Sequence, residues 1–296
     1  MRSLPYSLYV LLGGVSYGLL APFVKLAFEQ GIPTGDSVRL QYFTGFLLLG
    51  LINLFFVRYR VGMKAFIFLF FSGIPMGLTT SFYYHSLEYL DTSISIVILF
   101  QYTWMGIVAE LVIERVWPTR EKVIAALLLF GGSLLAVNIL GADLRSLPVV
   151  GVVLALLSAA SFATFLYVSG KVAIQVPALR KSFVMSFGAA AIIAVVFPLG
   201  DFMAEGISFT YLGLGLMLGL FGVVLPPFLF SLGMPIVGSG LGTILSATEL
   251  PTTMILSAIV VSERVTFAQW IGIVVIIVGI ALANYPAVRR RRAGVP

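Results

Sequence analysis

Glu249 and Pro251 stand two residues apart in ILSATELPTTMIL (244–256), inside an otherwise apolar run. An ionisable group in such a run is costly and marks a substrate or ion path by default. Ser239, Gly242, Ser246, Glu249, Thr253 and Ser257 recur at steps of three and four, so on a helix they share one stripe. A small, polar stripe faces another helix or a wet cavity, because lipid leaves its groups unsatisfied. Two readings stay open. Glu249, Ser246 and Thr253 bind a solute or a proton, or the stripe is packing glue and Glu249 only bonds a neighbouring helix. Pro251 lacks an N–H and crowds the carbonyl of Ala247, which predicts a loosened turn with a free acceptor beside the carboxylate.

Other groups invite the same two-sided reading. Lys25 is a counter-charge candidate on a face with Gly14, Gly18 and Ala21, or a lysine that snorkels to the interface. Pro22 on the same stretch is a candidate kink. His85, the single histidine, lies three residues before Glu88 on one face. It is a candidate proton-coupling group, or a packing histidine paired with Glu88. Glu110, one turn before Glu114, reads as a charge partner or an interfacial carboxylate. Tyr83, Gln101, Tyr102 and Ser161 are candidate cavity walls, since aromatic rings contact apolar and cationic ligands alike. Pro226-Pro227 predicts a break or hinge.

The elements that must position these residues follow from composition. The chain has 296 residues, 60% hydrophobic and 10% charged, with no cysteine. Soluble domains carry about 25% charged residues, so lipid is the solvent for most of this chain. The absence of cysteine excludes disulfides and thiolate chemistry. Ten stretches are long enough to span: 6–28, 37–57, 65–87, 93–113, 122–140, 149–170, 182–199, 210–232, 238–261 and 267–285. The first reads as a span and not as a signal peptide. Gly31-Ile32-Pro33, Gly141-Ala142-Asp143, Gly200-Asp201 and Gly233-Met234-Pro235 read as turns. Glu249 falls 11 residues into the ninth span, about 16 Å deep, near the midplane.

With a cytoplasmic N-terminus, 14 of the 18 Lys and Arg fall on the cytoplasmic side, leaving Lys25, Arg39, Arg145 and Arg264 elsewhere. That is a positive-inside pattern with both termini cytoplasmic, expected in the plasma (inner) membrane. Arg289 to Arg292 form a basic tail that anchors topology or meets anionic lipid. The charge does not suit a nucleic-acid partner. No HExxH, Walker loop or aspartate pair is present, which argues against an enzyme; no metal or cofactor site is evident. Nothing here chooses between a monomer and a homodimer.

Halves 1–145 and 146–296 echo each other. Glu114-Arg115-Val116 closes the fourth span and Glu263-Arg264-Val265 the ninth; each following span ends in asparagine, Asn138 or Asn284. Five spans per repeat is an odd number, so the second repeat enters the membrane inverted. Inverted repeats are typical of transporters, with the site near the midplane.

GGVSYGLLAPFVKLAFEQG (13–31), LFQYTW (99–104) and GSGLGTILSATELPTTMILSAIVVSERVTFAQWIGIVVIIVGIAL (238–282) together resemble the EamA-type branch of the drug/metabolite transporter superfamily. Tyr17 stands where that family usually has tryptophan, and Met105 where it often has proline. The resemblance implies a ten-helix bundle with a central cavity, and export of amino acids or other small metabolites. The expectation is an all-α integral membrane protein of two inverted five-helix repeats. It would export an amine-containing metabolite, with proton coupling through Glu249. An uncoupled facilitator or channel of the same fold is the alternative, and a membrane enzyme or assembly partner a remote one.

Overall fold

The computed structural model describes residues 3–137, 147–197, 209–260 and 265–292, with the side chains of 3, 209, 210 and 286–292 left out. Asn138, the boundary at 145/146, the expected turns at 141–143 and 200–201, Arg145 and the Glu263-Arg264 pair lie outside those residues. So do the Arg289 to Arg292 side chains.

Among the described residues the chain is helical and has no strand. The elements are α1 (Ser3–Glu29), α2 (Thr34–Phe56), α3 (Met63–Ser86), α4 (Thr92–Leu99), α5 (Tyr102–Glu114), α6 (Arg120–Ala136) and α7 (Val149–Lys171). There follow α8 (Ala178–Val196), α9 (Phe209–Gly219), a π-helical segment (Leu220–Val224), α10 (Leu225–Val237), α11 (Ser239–Ser246), α12 (Glu249–Val260) and α13 (Phe267–Arg292). Nine stretches are long and apolar enough to cross a membrane among the described residues. The fifth crossing, α6, is described over 17 residues and lies along α13. The protein is an all-helical integral membrane protein.

The halves do not sit side by side. The most extensive helix contacts join one half to the other: α1 with α10 and α12, α2 with α8 and α9, α3 with α7 and α8, α5 with α11, and α6 with α13. Without a hydrophobic drive inside lipid, such contacts depend on close approach. Where α3 crosses α8, a Cβ on Gly73 would overlap Met185 O, and one on Gly188 would overlap Phe70 O. The two glycines clear space reciprocally.

Two spans are broken. The fourth is split between Leu99 and Tyr102, and the ninth between Ser246 and Glu249. Both breaks are tight turns of i→i+3 type: Gln101 N–H donates to Ile98 O (3.1 Å), and Ala247 N–H to Ile244 O (3.2 Å). The expected free carbonyl at Ala247 is absent, because the tightened chain brings Leu250 N–H to Ala247 O at 3.3 Å. The break therefore satisfies what Pro251 leaves open.

The expected break at Pro226-Pro227 takes another form. The span stays helical, and the π-helical segment lies immediately before the prolines. In i→i+5 bonding Pro226 would serve Phe221 O, which instead accepts from Ser16 Oγ at 3.0 Å. The expected turn at Gly233-Met234-Pro235 also moves. α10 runs through Pro235, and the turn falls at Gly238, whose φ of +82° suits glycine. α1 continues uninterrupted through Pro22.

Replacing Gly73 with valine should lower stability by about 1–3 kcal/mol through overpacking, read as a lower melting temperature in detergent. Gly131→Ala, with nothing within 4 Å, should leave it unchanged or raised. Equal behaviour of the two would contradict the close crossing of α3 and α8.

Candidate functional site

The break in the ninth span divides its polar stripe in two. Ser239, Gly242 and Ser246 are buried on α11. Ser246 Oγ donates to Thr243 O (2.9 Å) and reaches Tyr102 Oη at 3.4 Å. Thr243 Oγ1 donates to Thr103 O at 3.1 Å. This half is packing, and it ties the two broken spans together. Glu249, Thr253 and Ser257 instead line a cavity of about 540 Å³. The stripe is thus packed on one side of the break and borders a cavity on the other.

α1 packs closely against the chain on both sides of this break. A Cβ on Gly14 would overlap Ser246 O, and one on Gly18 would lie against Thr252 and Glu249 O. The same helix then contributes Tyr17, Ala21 and Lys25 to the cavity wall. Six rings line the cavity's inner part: Tyr17, Tyr42, Tyr83, Tyr84, Phe100 and Phe162. Tyr17 meets Phe162 edge-on with centroids 5.7 Å apart, and Tyr83 meets Tyr84 likewise at 5.7 Å. Tyr42 Oη donates to Met76 O (3.1 Å) and shares a 2.7 Å hydrogen bond with Thr80.

Glu249 is surrounded by protein yet partly accessible, because it borders the cavity. Among the described residues none forms a hydrogen bond or an ion pair with its carboxylate. Tyr17, Tyr83 and Tyr102 lie close enough to feel its charge. A carboxylate without a partner among the described residues, in a cavity lined by aromatic rings, suits a proton or an organic cation.

Of the other residues expected from sequence, Tyr83 and Lys25 border the cavity, Lys25 about 12 Å beyond Tyr17 along α1. Gln101 does not. Its amide donates to Val97 O (2.8 Å) and accepts from Trp104 Nε1 (3.0 Å), so it is turned along its own broken span. Tyr102 stands one layer back, fully buried, its ring 4.7 Å from Phe162. Ser161 is outside the lining; its neighbour Phe162 occupies the wall. His85 Nδ1 and Glu88 Oε1 are 2.9 Å apart at an exposed site, with the imidazole stacked on Phe197. Neither borders the cavity. Glu110 is 7% exposed, ion-paired with Lys122 and seated against Gly238 and Gly240.

Gln41, Tyr42, Thr79 and Thr80 on the wall were not expected. A glutamine next to an aromatic within an apolar run was the available signal for the first two. Gly14-Val15-Ser16-Tyr17-Gly18 also spells GxSxG, but it lies within continuous α1, and Ser16 is committed to Phe221 O. It is not the strained strand-to-helix turn that presents a nucleophile.

The cavity runs toward one end of the bundle. Its lining ends at Phe28, Leu87, exposed Thr92 and Ser93, and Gln269. The other end, which holds the start of α1, carries polar ties between the halves. Lys171 pairs with Glu114 at 2.7 Å, Arg180 donates to Val57 O at 3.0 Å, and Asn53 donates to Leu179 O at 3.0 Å. Lys181, a loop charge by sequence, is buried there and caps the last turn of α7 through Ser169 O at 2.7 Å.

The model of the family described as "EamA-like transporter family" matches residues 4–138 and again 149–285. No curated protein matches significantly. A solved structure titled "Crystal structure of protein" aligns with a TM-score of 0.79 over 97% of this chain and 99% of its own, at 16% identity. At that identity the likeness concerns the fold.

With no native cysteine, single cysteines report accessibility cleanly. Thr253→Cys and Ser257→Cys should react with a hydrophilic maleimide, and Ser246→Cys should stay at least tenfold slower. Equal rates would contradict the division of the stripe.

Proposed function

The chain belongs to the EamA-like transporter family, and from that premise we propose that it exports a small amine-containing metabolite, an amino acid or a related compound, across the plasma membrane. The observation that carries this reading is the Glu249 carboxylate, without a partner among the described residues, at a ring-lined cavity. Pockets of about 300–1,000 Å³ suit small molecules, and 540 Å³ falls within that range.

Glu249 alternates between a proton and the solute's ammonium group. Both cannot occupy one carboxylate, so release of the amine to the outside is linked to proton uptake. The rings supply cation–π attraction, worth about 0.5–2 kcal/mol each, and contact for the solute's apolar part. Tyr102 and Ser246, which meet between the broken spans, set the floor and do not contact solute.

The positive-inside pattern supports placing the tied end, with the start of α1, in the cytoplasm. The cavity then faces outward. Return to the inward-facing state requires the halves to part at Glu114–Lys171, Arg180–Val57 and Asn53–Leu179. Rocking of one repeat against the other provides that motion.

In proteoliposomes carrying the purified protein, an imposed pH gradient should drive uptake of labelled amine against its concentration gradient. Glu249→Gln should reduce driven uptake at least tenfold. Flux that ignores both the gradient and the substitution would identify an uncoupled facilitator and overturn this mechanism.

A further inference from the structure

We propose that Gln41 is a substrate-contacting, specificity-determining residue, whose amide binds a hydrogen-bond acceptor carried by the solute in addition to its amine. The inference rests on the amine reading of the Glu249 site and deepens it. Gln41 lies on α2, is 5% exposed, and lines the same cavity as Glu249. Among the described residues none hydrogen-bonds its side-chain amide. A buried amide with two N–H donors and a carbonyl is costly to leave unpartnered.

The neighbouring helix makes room for this side chain. Gly222, in the π-helical segment, has no Cβ, and one built there would overlap Gln41 Nε2 and lie 3.0 Å from its Cδ. Leu20 Cδ2 stands 3.2 Å from the same point and closes that side with hydrocarbon. The amide is thus seated between a helix backbone and an apolar side chain, on a residue that borders the cavity. The seat depends on the π turn before Pro226-Pro227, which shifts the register of the span at Gly222.

The chemistry of the occupant follows from what the wall lacks. Glu249 is an acceptor and takes the amine. The amide N–H groups of Gln41 need an acceptor, and a simple alkylamine has none. A solute that also carries a carboxylate, carboxamide or hydroxyl supplies one. Glu249 belongs to the second repeat and Gln41 to the first, so such a solute bridges the two elements that must move relative to each other.

The test uses purified full-length protein and two matched probes, leucine and 3-methylbutylamine, which differ by a carboxylate. Binding is measured by calorimetry for wild type, Gln41→Leu, Gly222→Ala and Glu249→Gln, each checked for an unchanged melting temperature. Wild type should prefer leucine. Gln41→Leu should weaken leucine at least tenfold and leave the amine within twofold. Gly222→Ala, which leaves Gln41 in place but displaces its amide, should shift selectivity in the same direction and remains informative should Gln41→Leu fold poorly. Equal weakening of both probes by Gln41→Leu makes the residue structural and overturns the proposal. No change with either probe means that water satisfies the amide, and overturns it too. Glu249→Gln separates the two levels: loss of both probes upholds the amine reading whatever Gln41 does. No effect of Glu249→Gln, or no binding of either probe to wild type, removes the amine reading and this inference with it.

Discussion

Hydrocarbon supplies no hydrogen bonds, so a chain that holds a carboxylate at mid-bundle must bring water, a proton or a solute to it. The arrangement around Glu249 answers that requirement. α1 approaches through Gly14 and Gly18 and supports the turn that starts α12. The break rotates Glu249, Thr253 and Ser257 onto a cavity wall and leaves Ser239 to Ser246 packed. The rings of Tyr17, Tyr83 and Phe162 enclose the carboxylate's surroundings without pairing with it.

The two repeats solve the backbone problem in the same way. Each interrupts its fourth span after an eight-residue helix, Thr92–Leu99 or Ser239–Ser246, and resumes after two intervening residues at Tyr102 or Glu249. Tyr102 and Glu249 each open the helix after the break, with different fates. One closes the floor by meeting Ser246, and the other carries the charge. A breakpoint of this kind lets a helix present backbone and side chains to a cavity while its hydrogen bonds stay satisfied by i→i+3 pairing. The interlocked packing of the halves makes the cavity a property of both repeats. A relative tilt of the halves would break the bonds between them at the end that holds the start of α1.

Much of this was legible in the sequence for clear reasons. Ten runs of about 20 apolar residues specify the spans, and Glu249 stood out because a charge in such a run is rare. The breaks were not legible. Phe100-Gln101 contains neither glycine nor proline, and Pro251 lies past the break it accompanies. An i→i+3 turn advances about 120° per residue where an α-helix advances about 100°, so faces extrapolated across it drift. Gln101 and Tyr102 were expected at the wall from their depth in the span alone, and depth does not fix the face; Leu99 and Phe100 are the residues that line it. Ser161 was off by a single residue from Phe162, the wall residue. Gln41 went unnoticed near the end of its span, close to Asp36 and Arg39, where polarity looks like an interface. Pro226-Pro227 marked an irregularity correctly in place, but its form depended on Ser16, which is distant in sequence and supplies the missing donor.

The central claim is that Glu249 exchanges a proton for the solute's amine. Proton release on binding, measured with a pH indicator in weakly buffered detergent solution across pH 5–8, addresses it directly. Binding of 3-methylbutylamine to wild type should release up to about one proton per site, and Glu249→Gln should release none. Saturable amine binding with no proton release anywhere in that range, or release that persists in Glu249→Gln, would contradict it.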